Sequence, residues 1–175
     1  MKKFMIILLS VVFLSCEGPR GPQGPPGFDG LIGSVFDVVV DFTPGNGYSN
    51  LIVFPNNIEV FESDVVMVYL LEEQLGDPTG PIDVWTPLPQ PFFVNAGFQV
   101  VYNFNYTFLD VNLFLDGNVN LDDLGPAFTQ DQVFRIAVIP AAFLETFDVD
   151  ISNYEQLMNA LQAQDPNFEV TPFLN

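Results

Sequence analysis

From Phe36 onward, apolar side chains recur at every second position over several stretches, the period of a strand with one face buried. Phe36, Val38, Val40 and Phe42 alternate with Asp37 and Asp41, and Pro44-Gly45-Asn46-Gly47 closes that strand as a turn. Residues 51–54 and 58–61 predict two short strands separated by Pro55-Asn56-Asn57. Residues 65–71 are continuously apolar, which suits a central strand covered on both faces. Pro78, Pro81, Pro87, Pro89 and Pro91 then crowd around Trp85. Proline has no N–H for a sheet ladder, so residues 76–91 predict an edge or a surface loop.

Phe98, Val100, Tyr102, Phe104, Tyr106 and Phe108 alternate, and Leu109, Val111, Leu113 and Leu115 alternate in the opposite phase. The switch predicts a bulge or tight turn between Phe108 and Leu109. Residues 133–139 form the last clear strand, closed by Pro140. The period then changes. Tyr154, Leu157, Met158 and Leu161 stand at helical spacing behind Ser152-Asn153-Tyr154-Glu155, which predicts a capping box of Ser152 and Glu155. Asp165-Pro166 stops that helix. Seven or eight short strands and one late helix predict a mainly β fold. The expected architecture over residues 34–175 is a single antiparallel β-sandwich with one short helix near the C-terminus.

The first residues follow neither period. Lys2 and Lys3 precede an apolar run from Phe4 to Leu14, the length of a signal-peptide core and short of the ~20 residues that span a bilayer. The run ends at Phe13-Leu14-Ser15-Cys16, where a small residue precedes the chain's single cysteine. This resembles a bacterial lipobox, which implies a lipoprotein signal over residues 1–15 and acylation of Cys16, palmitate among the acyl chains. The alternative is an ordinary secretory signal with an incidental cysteine. Several acyl chains on one residue would anchor firmly, at ~0.8 kcal/mol per buried methylene.

Glycine follows at strict period three through Gly18, Gly21, Gly24, Gly27, Gly30 and Gly33, with Pro19, Pro22, Pro25 and Pro26 between them. Only glycine fits the crowded axis of a collagen triple helix, and proline presets the extended polyproline conformation. The repeat therefore supports either a trimer or a stiff monomeric spacer. It is too short to hold a triple helix alone, which favours the spacer over residues 16–33. Extended at ~3.1 Å per residue, it reaches about 45–50 Å.

Charge narrows the function. The chain has 22 acidic residues, four basic residues and no histidine, for a formal charge of −18. Beyond Cys16 the bases are Arg20 and Arg135 alone. Such a surface is repelled by nucleic acid, whose binding rests on Lys and Arg contacts to phosphate. Without histidine there is no Ser-His or Cys-His pair, and without lysine in the mature chain there is no Schiff base or phosphate-loop lysine. Zinc and haem sites of the usual types also lack their ligands. Carboxylate chemistry and calcium binding survive.

Cys16, Glu17, the GPxGPxGPPG repeat and an acidic, aromatic-rich β body together resemble the collagen-like-repeat lipoproteins of Gram-negative outer membranes. The resemblance is specific over residues 1–33 and general beyond them. It implies a lipid-anchored outer-membrane protein, on the periplasmic or the cell-surface face, with no catalytic residues to carry over.

Four groups of residues are candidates for chemistry. Asp116-Gly117-Asn118-Val119-Asn120-Leu121-Asp122-Asp123 resembles the second half of a calcium loop, with Asp116, Asn118, Asn120 and Asp123 as ligands. Phe114 offers no oxygen where that pattern needs one, and an Asp-Gly turn is the competing reading. Glu72-Glu73 and the set Asp148, Asp150 and Glu155 are the carboxylate pairs available to a glycosidase. Scattered acids on so acidic a chain also pair by chance. Trp85, Tyr102, Tyr106, Phe92 and Phe93 are either an aromatic ligand platform or core. Arg135, the single base after Arg20, lies within an apolar strand on the face of Val133, Ala137 and Ile139. A guanidinium there must be paired with carboxylates or carbonyls if that face is covered. The competing role is to hold an acidic ligand in a cleft.

The expectation is therefore a non-enzymatic, lipid-anchored envelope protein, a structural or interaction module displayed on a stiff spacer and binding no nucleic acid. Its partner would be an envelope protein or a glycan, and it requires no cofactor. The alternative is a calcium-assisted ligand- or glycan-binding domain.

Overall fold

The computed structural model describes residues 32–172. The leader, Cys16 and the triplets up to residue 31 lie outside the described residues. Eight strands follow in chain order: β1 (Ser34–Val40), β2 (Ser49–Val53), β3 (Val65–Leu75), β4 (Ile82–Pro87), β5 (Gln90–Asn95), β6 (Phe98–Tyr106), β7 (Asp110–Gly117) and β8 (Gln132–Ile139). Three helices complete the body: α1 (Pro126–Thr129), α2 (Ala141–Thr146) and α3 (Tyr154–Gln164). The strands form two antiparallel sheets, ordered β1-β8-β3-β4 and β2-β7-β6-β5. The fold is mainly β and sandwich-like.

Period two explains which side chains meet between the sheets. Phe36, Val38 and Val40 of β1 pack with Phe134, Ile136 and Val138 of β8 and with Val66, Val68 and Leu70 of β3. The second sheet contributes Val100, Tyr102, Val111, Leu113 and Leu115. Phe42 bridges the layers, its ring edge-on to Tyr102 at 5.9 Å and to Phe134 at 6.1 Å between centroids. Each fully buried aliphatic or aromatic side chain of this kind contributes about 1.5–3 kcal/mol.

The first sheet is covered on its outer face as well. Val35, Tyr69, Ala137 and Ile139 pack there against Phe143 of α2 and Leu157, Met158 and Leu161 of α3. This is why residues 65–71 read as a continuous apolar run and 133–139 as one broken only by Arg135. Gly33 lies where α3 comes closest: a Cβ at that position would meet Leu161 Cδ2 at 2.9 Å and the Val138 carbonyl at 3.0 Å. The last glycine of the triplet series thus has a packing role of its own. The C-terminal segment closes the open edge of β1, with Asp37 N–H donating to Thr171 O at 3.1 Å and Thr171 N–H to Val35 O at 2.9 Å.

The proline-rich stretch supplies a loop over residues 76–81 and then two edge strands. β4 ends one sheet and β5 ends the other, with only Leu88 and Pro89 between them. Two sequence readings are corrected. Residues 58–61 form no strand, because turns at both ends take their backbone: Ile58 N–H donates to Pro55 O at 2.9 Å, and Phe61 N–H to Asp64 Oδ2 at 3.0 Å. The cap of α3 is Asn153, whose Oδ1 accepts from Gln156 N–H at 3.1 Å. Ser152 is instead held by Asp150, its hydroxyl donating to Oδ1 at 2.6 Å. The short helices α1 and α2 are too brief to leave a period in the sequence.

Candidate functional site

Arg135 lies on the helix-covered face of the first sheet, directly opposite Asp37 in the β1–β8 ladder and opposite Tyr69 in the β3–β8 ladder. Its Nε donates to Asp37 Oδ1 at 2.7 Å and its Nη2 to Asp37 Oδ2 at 2.8 Å, a bidentate pair. Nη1 donates to the Tyr154 hydroxyl at the start of α3. The guanidinium also lies over the Trp85 ring, 4.0 Å from its centroid. Burial alone would lower the Arg135 pKa, but the hydrogen bond and charge of Asp37, aided by Tyr154, more than offset it, and the net direction is up. The side chains of Arg135 and Asp37 are only 13% and 11% exposed. The guanidinium's donors are spent on Asp37 and Tyr154 and its face on Trp85, so the arrangement holds β1, β4, β8 and α3 together.

A second arrangement has room for something else. The β5–β6 hairpin and the connection from β7 to β8 flank an open cleft of about 470 Å³. The hairpin contributes Val94, Asn95 and Phe98, and the connection contributes Asn120, Asp123, Leu124 and Phe128 among others. Phe98, one of the lining residues, is 48% exposed.

The cleft's position follows from the register. Ser34 pairs with Val138 and Val40 with Gln132, so the chain enters β1 at one end of the sandwich and leaves it at the other. The connection is tied to the leaving end: Phe42 N–H donates to Thr129 O at 2.7 Å, and Asp131 N–H to Asp41 Oδ1 at 2.8 Å. The cleft therefore lies at the end of the sandwich opposite the entry of the chain, about 20 Å away along β1.

Its walls are braced. Asn118 Oδ1 accepts from Gln99 N–H at 2.8 Å, and its Nδ2 donates to Gly97 O at 2.9 Å, so one amide clamps the connection to the hairpin. Tyr102 donates its hydroxyl to Phe128 O at 2.8 Å, and Tyr48 donates to Asp122 Oδ1 at 2.5 Å. That last bond, chiefly, pushes the Tyr48 phenol up to about 12. Gly117 allows the close approach: with φ +153°, a Cβ there would fall 2.3 Å from Gln99 O.

The four residues read as calcium ligands divide between different tasks. Asp116 Oδ1 accepts from Gly117 N–H at 2.7 Å, and Asn118 forms the clamp. Asn120 and Asp123 line the cleft, where Asn120 Nδ2 donates to Asp123 Oδ2 at 3.2 Å. Among the described residues no group of three or more Asp, Glu, Cys or His side chains is arranged to hold a metal ion.

The other candidates are dispersed. Glu72 Oε2 accepts from the Thr86 hydroxyl at 2.5 Å, and Asp150 is engaged by Ser152, which holds its carboxyl below the usual range. Of the aromatic residues, Tyr102 is buried between the sheets with Phe92 against it, Trp85 lies beneath α3, and Phe93 and Tyr106 are exposed. They form no common platform. The sequence reading missed Asp37, Tyr154 and Phe98 as parts of either site. An acid at the period-two position beside Phe36 was the available signal for Asp37. No protein-family model, curated protein or solved structure matches the chain.

Proposed function

We propose that this chain is a non-enzymatic, lipid-anchored protein of the Gram-negative outer membrane. It holds its β domain away from the bilayer on a stiff Gly-X-Y spacer and serves there as a structural or interaction module. The observation that carries this reading is the N-terminal order. A basic and apolar leader meets the only cysteine at Cys16, and the glycine triplets continue to Gly33, one residue before β1 begins at Ser34. No histidine or lysine follows Cys16, which removes the common nucleophile-activating pairs. The spacer acts as an extended monomer, since so few triplets give little triple-helix stability.

Cys16→Ala tests the anchor. The variant is expected in the soluble fraction, because no other segment is apolar and long enough to hold the chain in a bilayer. A variant that still pellets with membranes after a high-salt wash would refute lipid anchoring. A stable trimer in sedimentation of the unlipidated chain would refute the monomeric spacer.

A further inference from the structure

We propose that the cleft between the β5–β6 hairpin and the β7–β8 connection binds an uncharged carbohydrate, a sugar unit at the end or within the chain of a neutral glycan. The proposal deepens the reading of the domain as a displayed interaction module, and rests on it for the cleft's orientation. With the anchor at Cys16 and the chain entering at Ser34, the cleft is at the membrane-distal end.

The size is that of a small-molecule site, which runs from about 300 to about 1,000 Å³. The walls are already fixed by the Asn118 clamp, the Tyr102–Phe128 bond and the Phe42–Thr129 bond, so a ligand orders little on entry.

The chemistry selects the class. The cleft offers two amides, Asn95 and Asn120, which both donate and accept, and one carboxylate, Asp123, which accepts. Phe98 and Phe128 supply apolar surface among the lining residues. A sugar ring carries the complement: hydroxyls that donate and accept around its edge, and C–H groups on its faces.

The same inventory rejects anions. Among the described residues no base lines the cleft, and the only base after Arg20 is Arg135, spent on Asp37. A phosphate, sulfate or uronate would meet Asp123 and the acidic surface with nothing to neutralise it. An organic cation is the remaining competitor, but Asp123 is the single carboxylate lining the cleft among the described residues, and one of its oxygens already accepts from Asn120.

The test uses the full chain in mild detergent, titrated with a panel of neutral oligosaccharides of glucose, galactose, mannose and N-acetylglucosamine, with backbone amide shifts as the readout. We expect saturable shifts at Asn95, Phe98, Asn120 and Asp123 for at least one member. Affinity should be the same in low and high salt, since a neutral ligand has no charge to screen. Phe98→Ala and Asn120→Ala should each weaken binding about tenfold or more with the melting temperature little changed. No saturable shift at these residues across the panel would overturn the proposal. So would binding of spermidine at the same residues that vanishes in high salt, which assigns the cleft to cations. The anchor is scored separately by fractionation of Cys16→Ala. An empty cleft leaves anchored display standing, and a Cys16→Ala chain that still pellets with membranes yet binds sugar would refute the anchor and leave the cleft standing.

Discussion

Arg135 and Asp37 face each other across the β1–β8 ladder and are joined by two hydrogen bonds of 2.7 and 2.8 Å on a face that α3 covers. The covering helix is part of the same assembly. Tyr154 packs edge-on against Tyr69 at 5.3 Å and beside Trp85 at 5.7 Å, while its hydroxyl accepts from Arg135. One guanidinium therefore fixes the register of two strands and the seat of a helix. Removing it leaves a buried carboxylate with no partner.

Arg135→Ala should for that reason destabilise the domain by about 3–5 kcal/mol, the cost of stranding one member of a buried pair. Arg135→Lys should recover only part of the loss, because an ammonium cannot donate a bidentate fork or lie flat over Trp85. Replacing both partners, Asp37→Leu with Arg135→Met, should cost far less than either single loss. Urea denaturation of the variants decides the matter. A loss below about 1 kcal/mol for Arg135→Ala, the range of exposed pairs, would mean the pair holds nothing together.

Much of this fold was legible because its strands obey period two. Phe36, Val38 and Val40 point between the sheets as their alternation requires, and the prolines around Trp85 do mark edge strands. What the pattern cannot carry is the meeting of distant residues. Asp37 and Arg135 are 98 positions apart, and an acid among alternating apolar residues reads as solvated until a helix is known to cover it. The cleft was half visible. Asn120 and Asp123 stood out through a resemblance to a calcium loop, yet the wall that completes the site belongs to a hairpin more than twenty residues earlier. Helix α3 was seen, but its cap was placed one residue early because Ser152 and Asn153 are equally good caps and only Asp150 decides between them.

Alkaline pH should weaken the domain from about pH 10 upward. Burial, aided by Tyr154 and Asp150, raises the Tyr69 phenol above its ordinary value, and burial alone raises Tyr102. A group whose pKa is raised on folding gives its full stabilisation below the unfolded value of about 10 and loses it as pH climbs toward the folded one. In that window the unfolded chain binds fewer protons, so stability falls as pH rises. Urea midpoints should decline between about pH 10 and pH 12, alongside the rise of tyrosinate absorbance. Tyr102→Phe should make the decline shallower. A flat midpoint across that window would contradict the burial of both phenols.

The cap of α3 offers a sharper comparison. Asn153→Ala removes the acceptor for Gln156 N–H and should cost about 1 kcal/mol. Ser152→Ala disturbs only an exposed bond to Asp150 and should cost less than half as much. The order of the two midpoints in urea is the test, and the reverse order would restore Ser152 as the cap.

Gly117 and Gly97 separate two reasons for glycine at the cleft. At Gly97, φ is +85° and nothing lies within 4 Å of a built Cβ, so an alanine there meets only unfavourable backbone conformation. That costs about 1 kcal/mol. At Gly117, φ is +153° and the new carbon would meet Gln99 O at 2.3 Å and Val100 Cα at 3.1 Å. Both neighbours are backbone of β6 and cannot swing aside as a side chain would. Asn118 follows immediately, and its clamp on Gln99 and Gly97 depends on that close approach. Gly117→Ala should therefore cost about 2–3 kcal/mol, well above Gly97→Ala, and should also loosen the cleft wall. Faster amide exchange at Gln99 and Asn118 would report the loosening in the folded protein. Equal urea midpoints for the two variants, with Gln99 N–H still protected, would show that the end of β7 at Gly117 does not press on β6 as closely as a Cβ placed 2.3 Å from Gln99 O requires.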